Sequence, residues 1–320
     1  MKALVYKAKN APLAFEDVDL PPPAEGEVEV RLKAAALNHR DNWITKGLYS
    51  GIRENIILGS DGAGILDGRE VILNPNIGWG DSQRYPAADY HMLGMPGHGT
   101  FAEAIRVAAD RVHDKPVHLS IEQAAALPLA GLTAFRTVFS RCGLQAGERV
   151  LISGVGGGVA LFACQFAIAA GAEVHVTSGS ADKIARATKL GAAGGANYRD
   201  AGWAKSLKAA TGGFDVIIDS AGGKGFADLV RLTRKGARIG LYGGTLGNWQ
   251  DVSPQVVFFN QIDILGSTMG SDQDFAAMLA FVNQHRIVPV VDSTHPLAEG
   301  NEALARMDEG GQFGKIVLTI

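Results

Sequence analysis

Cysteine is scarce: two residues, Cys142 and Cys164, in a chain of 320. Two thiols supply neither a disulfide framework nor a four-thiolate zinc lobe. They read as buried thiols of a reducing compartment, so the expected location is cytoplasmic. An excess of charge is lacking too. Thirty Lys and Arg stand against 33 Asp and Glu, a net charge of −3, which gives no chain-wide attraction for phosphate backbones or anionic membranes. Nucleic acid and membrane partners are therefore not expected. No stretch offers 18 uninterrupted apolar residues, and the apolar run in MKALVYKAKN is too short for a signal peptide. Low-complexity tracts, charge runs and internal repeats are missing as well. With 47% hydrophobic residues the chain can bury real cores, and its length suggests two domains. What stands in excess is glycine. The 41 glycines are nearly double an ordinary share of about 7%, and where they fall decides the reading.

Residues 1–120 read as short strands broken by turn signals: Pro21-Pro22-Pro23, Asp61-Gly62, Asp67-Gly68 and Pro96-Gly97. The texture changes at about Ile121. Ser120 can cap an Ala-rich helix, and apolar strands then alternate with helical stretches, a parallel α/β signature. Strands are expected at 149–153, 173–177, 214–220, 237–242 and 262–266, with helices near 158–170, 181–190 and 223–234. Near-continuous apolar runs such as DVIID suit a sheet covered on both faces.

The strongest motif follows the first of these strands. RVLIS leads into Gly154-Val155-Gly156-Gly157-Gly158-Val159-Ala160 and then a helix. Strand, glycine turn and helix N-terminus present backbone N–H groups and a positive dipole end to a pyrophosphate. Gly154, Gly157, Gly158 and Val159 are the expected contacts. An NAD site usually places Asp or Glu at the end of the second strand, to hold the ribose 2′-hydroxyl. Here the chain has Thr177-Ser178-Gly179-Ser180. No carboxylate repels a 2′-phosphate, and Lys183 sits in the first helical turn, where a cation opposes the helix dipole. Ser178, Ser180 and Lys183 together favour NADPH. Taken singly, Ser180 also reads as a helix cap and Lys183 as a solvated lysine.

The motifs VEVRLKAAALNHRD, LGSDGAGI, GTFAEAIRV, AALPLAGLTAFRTV, the glycine turn and GARIGLYGG occur in an order that resembles the medium-chain dehydrogenase/reductase superfamily, with its zinc-independent quinone oxidoreductase branch the nearest look. The resemblance spans nearly the whole chain. It implies a GroES-like β-barrel catalytic domain from 1–121 and 268–320, a Rossmann domain, a doubly wound parallel sheet, from 122–267, and a homodimer. It also implies that Tyr198, after Asn197, helps hold the 2′-phosphate. Leu241-Tyr242-Gly243 and Ser267 end the fifth and sixth Rossmann strands, at the carboxyl edge where ligands sit, and are expected to orient the nicotinamide.

Zinc enzymes of the superfamily carry a Cys and a His ligand at positions that look here like Asn38, in LNHRD, and Ser60, in GSD. Both ligands are replaced, and no histidine or cysteine pair has a metal-binding spacing. No metal is expected. Without a Lewis acid the acceptor must be activated by its own conjugation, so a small quinone or α,β-unsaturated carbonyl is the expected partner. Enoyl-thioester reduction, metal-free carbonyl reduction and a low-turnover NADPH sensor are the alternatives. Asn38 can donate an amide N–H to the acceptor oxygen, or bond its own backbone. Tyr49 matches a cleft tyrosine of quinone reductases and can shield the acceptor or deliver a proton. Thr133 aligns with a threonine near the nicotinamide, or bonds the preceding helical turn. His39 reads as an acid, a substrate contact or a satisfied loop side chain.

Overall fold

The computed structural model describes residues 1–320, which divide into two compact units, Met1–Ala130 with Ser271–Ile320 and Gly131–Gly270. The division lies somewhat later than the change of texture at Ile121. The helix Ile121–Ala125, capped by Ser120, belongs to the first unit, where it packs on the strands Glu27–Ala36 and Asp61–Leu66.

The first unit is the GroES-like domain. Its largest sheet runs in the order Val112–Asp114, Arg69–Leu73, Asp61–Leu66, Glu27–Ala36, Lys315–Thr319 and Val291–Pro296, with Ala104–Ala108 also paired to Glu27–Ala36. The long strand Glu27–Ala36 alternates exposed and buried residues, then ends in three buried alanines, so its first half faces water on one side and its end does not. Small side chains there let neighbouring strands and a helix close in. The C-terminal strand pairs antiparallel with that alanine end, Val317 opposite Ala36. On the other side Asp61 stands opposite the same Ala36. A core of Leu4, Leu37, Ile57, Phe101, Leu304 and Leu318 lies under this region.

The second unit is a six-stranded, all-parallel sheet in the order Gly194–Asn197, Glu173–Ser178, Arg149–Ile152, Phe214–Asp219, Thr233–Leu241, Asp263–Gly266. In sequence order this reads 3-2-1-4-5-6, the Rossmann topology. Leu151, Phe214, Ile217, Phe226 and Ile239 form its core. The helix Gly158–Ala169 is apolar around most of its circumference and largely buried, as a helix packed between sheet and neighbours must be. The edge strand Gly194–Asn197 and the helices Trp203–Thr211 and Pro254–Phe259 are among the elements that have no counterpart in the sequence-based expectation. The first has too little side chain to show a strand pattern.

Candidate functional site

In the second unit, the strand Arg149–Ile152 turns through Gly154 at φ 64° and Gly156 at φ 142° before the helix opens at Gly158, with Gly157 as its cap. These two angles lie where side chains with a Cβ are strained, so the turn needs glycine. Thr177 fastens it from the neighbouring strand: its hydroxyl accepts from Gly154 N–H (3.1 Å) and its carbonyl from Val155 N–H (2.7 Å). Beneath, buried Asp219 accepts from Ser153 Oγ and from Gly222 N–H (2.9 Å). Asp219 is a residue the motif reading passed over. It pins the ends of the two central strands where the turn begins.

At the end of the second strand, Ser178 is buried and its hydroxyl accepts from Ser180 N–H, while Ser180 caps the helix Ala181–Lys189. Lys183 lies back along the glycine turn: a Cβ built on Gly156 would stand 3.0 Å from its Cδ and 3.3 Å from its Nζ. A Cβ on Gly179 would meet Arg199 Nε at 2.7 Å and Tyr198 Oη at 2.9 Å. Lys183 thus lies against the glycine turn, and Tyr198 and Arg199 against Gly179, between the two serines. Arg199 is an addition, and the signal for it was its place directly after Asn197-Tyr198. At the far end of the sheet Ser267 N–H donates to Leu241 O and Tyr242 N–H to Asp219 O, and Gly243 follows. The Ser267 hydroxyl is buried with no protein partner, as a group that meets a ligand would be. These residues fit a nicotinamide dinucleotide. Thr133, in the same unit, is buried and directs its hydroxyl at Met269 Sδ, 3.6 Å away.

In the first unit, strand register brings three distant residues together. Val317 stands opposite Ala36, and Leu37 N–H donates to Ile316 O, so Asn38 and Lys315 meet next along the same ladder, on the face that carries Asp61. Lys315 Nζ lies 2.6 Å from Asn38 Oδ1 and 2.8 Å from Asp61 Oδ2. Asn38 Nδ2 donates to Asp61 Oδ2 (2.9 Å) and, at 3.5 Å, to Ala36 O, while Asp61 Oδ1 accepts from Leu129 N–H. All three side chains are buried. Within this network the Asn38 carbonyl and amide both meet protein partners, the contact to Ala36 O being the longest.

The same donor set answers whether zinc fits. At the two positions aligned with zinc ligands stand an amide bound to an ammonium and Ser60, which accepts from Arg40 Nη1 (2.5 Å). No three His, Cys, Asp or Glu side chains form a group able to hold a metal ion. A cation already occupies this cluster, and the residues do not fit zinc.

The short helix His39–Thr45 carries the rest. Asp41 accepts Asn38 N–H with Oδ2 (2.8 Å), and burial pushes its carboxyl up to about 6 against the pull of Arg40. His39 remains accessible and stacks on Trp43 at 6.4 Å. Desolvation of its ring, aided by the Lys315 charge, holds its pKa below the ordinary histidine value, so it is a poor acid at neutral pH. Tyr49 is half-buried, its ring over the Arg40 guanidinium. Trp79 and Tyr90 pack edge to face and bond Ser82 O and Asn76 Oδ1, which makes them anchors of their loop. Both cysteines are free and buried, and burial pushes each thiol up to about 12, which rules them out as nucleophiles.

Residues 24–117 match the alcohol dehydrogenase GroES-like domain family and residues 158–284 the zinc-binding dehydrogenase family. A zinc-type alcohol dehydrogenase-like protein, YogA, of Leptosphaeria maculans is 34% identical over 97% of this chain and 95% of its own length. The chain belongs to the medium-chain dehydrogenase/reductase superfamily. It is an oxidoreductase of that superfamily, and its fold matches solved members throughout. A crystal structure described as an NAD-dependent alcohol dehydrogenase superposes with a TM-score of 0.95 at 36% identity, covering all of both chains. The quinone oxidoreductase of Thermus thermophilus, solved with its NADPH complex, superposes with a TM-score of 0.85 at 26% identity, also over all of both chains.

Proposed function

We propose that this oxidoreductase is NADPH-dependent and zinc-independent, and that it transfers hydride to a small quinone or α,β-unsaturated carbonyl acceptor. The observation that carries the reading is the Lys315 ammonium held between Asn38 and Asp61, in a cluster whose donors do not suit a metal. NADPH, when bound, supplies the hydride. The glycine turn would hold its pyrophosphate through backbone N–H groups. Ser178, Ser180, Lys183, Tyr198 and Arg199 would surround the 2′-phosphate, and the Ser267 hydroxyl and the amides near Leu241 and Gly243 would orient the nicotinamide. With no Lewis acid, conjugation must lower the barrier at the acceptor, because the electrons then spread into an enolate or phenolate that hydrogen-bond donors stabilise. The reading includes a homodimer and a cytoplasmic setting.

The names of the relatives favour a second reading, an NAD-dependent, zinc-type alcohol dehydrogenase. One experiment separates the two. Stopped-flow oxidation of bound NADPH and NADH is followed with quinones, enones, enoyl thioesters and aldehydes. Faster turnover of NADPH with quinones or enones, indifferent to chelators, is expected. Activity restricted to aldehydes or alcohols and abolished by a chelator would overturn the proposal.

A further inference from the structure

Asp219, beneath the glycine turn, is a buried carboxylate without a cation. It is 1% exposed. Oδ1 accepts from Ser153 Oγ and Oδ2 from Gly222 N–H (2.9 Å), and no lysine, arginine or histidine pairs with it. Acceptance on both oxygens suits the ionised form, since a protonated carboxyl would use one oxygen as a donor. A buried charge is costly unless it is paired, so an unpaired one calls for a partner outside the chain. Its place in the sheet says what that partner is. Asp219 ends its strand directly beside Leu241, which in turn stands beside Gly266, one and two strand spacings away, about 5 and 10 Å. These are the strand ends from which Leu241, Gly243 and Ser267 would orient the nicotinamide. The charge is felt there: desolvation raises the Tyr242 phenol against a hydrogen bond to Ser220, and Asp219 raises it further. All of these residues belong to the second unit.

We propose that Asp219 sets the redox poise of the bound cofactor, its carboxylate being the counter-charge of the oxidised nicotinamide ring. This rests on the dinucleotide reading above and not on the identity of the acceptor. A hydride, one hydrogen nucleus with two electrons, leaves the reduced ring and becomes the new C–H bond of the acceptor. The neutral dihydropyridine is thereby left as a pyridinium with one positive charge. The negative charge of Asp219 stabilises the pyridinium and leaves the neutral ring unaffected. Oxidised cofactor is therefore favoured in binding, and by linkage the bound couple becomes a stronger hydride donor in the same proportion. Two unit charges about 10 Å apart, at an effective dielectric of about 20, change an equilibrium roughly tenfold. That is about 30 mV for a two-electron couple. Asp219 acts through its field and needs no contact with the reacting atoms.

The test measures the dissociation constants of NADP⁺ and NADPH by calorimetry. Asp219→Asn keeps the shape of the side chain and can still bond Ser153 and Gly222. It should weaken NADP⁺ roughly tenfold and leave NADPH within about twofold, so that the ratio of the two constants moves. Ser153→Ala, which removes a hydrogen bond and keeps the charge, should leave the ratio at its wild-type value. Equal weakening of both forms by Asp219→Asn, the mark of a merely structural role, would overturn the proposal. So would a ratio that Ser153→Ala moves to the same extent. If Asp219→Asn does not fold, the wild-type protein decides: NADP⁺ bound at least as tightly as NADPH supports the proposal, and NADPH bound the more tightly overturns it. Should the protein prefer the cofactor without a 2′-phosphate, the NADPH reading fails by itself, and the same ratio for NAD⁺ and NADH still decides the role of Asp219. Binding of neither form would overturn both.

Discussion

Asp41 illustrates how burial sets chemistry at single residues. Its carboxyl is fully enclosed, and desolvation lifts it from the ordinary range to about 6 despite Arg40, the Asn38 N–H and Lys315 pulling the other way. A carboxyl raised on folding favours the folded state below its unfolded value of about 3.9, and that contribution is lost as pH rises through about 6. Above pH 6 the folded protein carries a buried carboxylate at a cost. Asp41→Asn, which keeps an acceptor for Asn38 N–H, should therefore gain stability over the wild type between pH 4 and pH 7, by about 3 kcal/mol at most. Urea unfolding at the two ends of that range measures it, and parallel curves would contradict the assignment. Lys183 makes a second residue-level prediction. Lys183→Glu should weaken NADPH by roughly 10- to 100-fold, the worth of one charge-assisted contact, and spare NADH. Equal losses for both cofactors in fluorescence titrations would remove Lys183 from the 2′-phosphate site. The residue types of this proposed site are local in the sequence: hydroxylic serines and a lysine after a strand, no acid among them. The contacts of Asn38 were not legible, for the opposite reason. Its partner Lys315 is 277 residues away, and no spacing rule reaches that far.

At the scale of elements, the C-terminal strand Lys315–Thr319 belongs to the first unit although the whole second unit precedes it in the chain. Its pairing with Glu27–Ala36 sets the register that seats Lys315 between Asn38 and Asp61. Removing one member of a buried ion pair leaves the other charge uncompensated, at roughly 3–5 kcal/mol. Lys315→Met should destabilise the first unit by that amount in chemical denaturation, and a loss below about 1 kcal/mol would show that the pair behaves like an exposed one. The Rossmann strands were readable in advance because each is a continuous apolar run between turn residues, a pattern that needs no knowledge of neighbours. Gly194–Asn197 was not, since Gly-Gly-Ala-Asn has almost no side chain to pattern, and it is a strand only because Glu173–Ser178 offers it a parallel edge.

The whole molecule ends its six-stranded sheet on Asp263–Gly266, a strand paired on one side only. Just before it in the chain, Phe258 and Phe259 are 52% and 73% exposed. An open edge beside exposed aromatics invites a second copy. Phe259→Asp should shift the proposed dimer to monomer in size exclusion with light scattering, and an unchanged mass would place any assembly elsewhere. No helix is long and apolar enough to cross a membrane. The sequence by itself determined the two-part α/β plan and the strand, glycine turn and helix at its centre, because each depends on residue type and short-range spacing. Only the tertiary structure decided which polar groups are spent and which are spare. Asn38 is satisfied by Asp61 and Lys315, and Arg40 is left with a buried, unused nitrogen. Those facts follow from strand register and burial, which join residues hundreds of positions apart and set the energetic cost of every polar group they enclose.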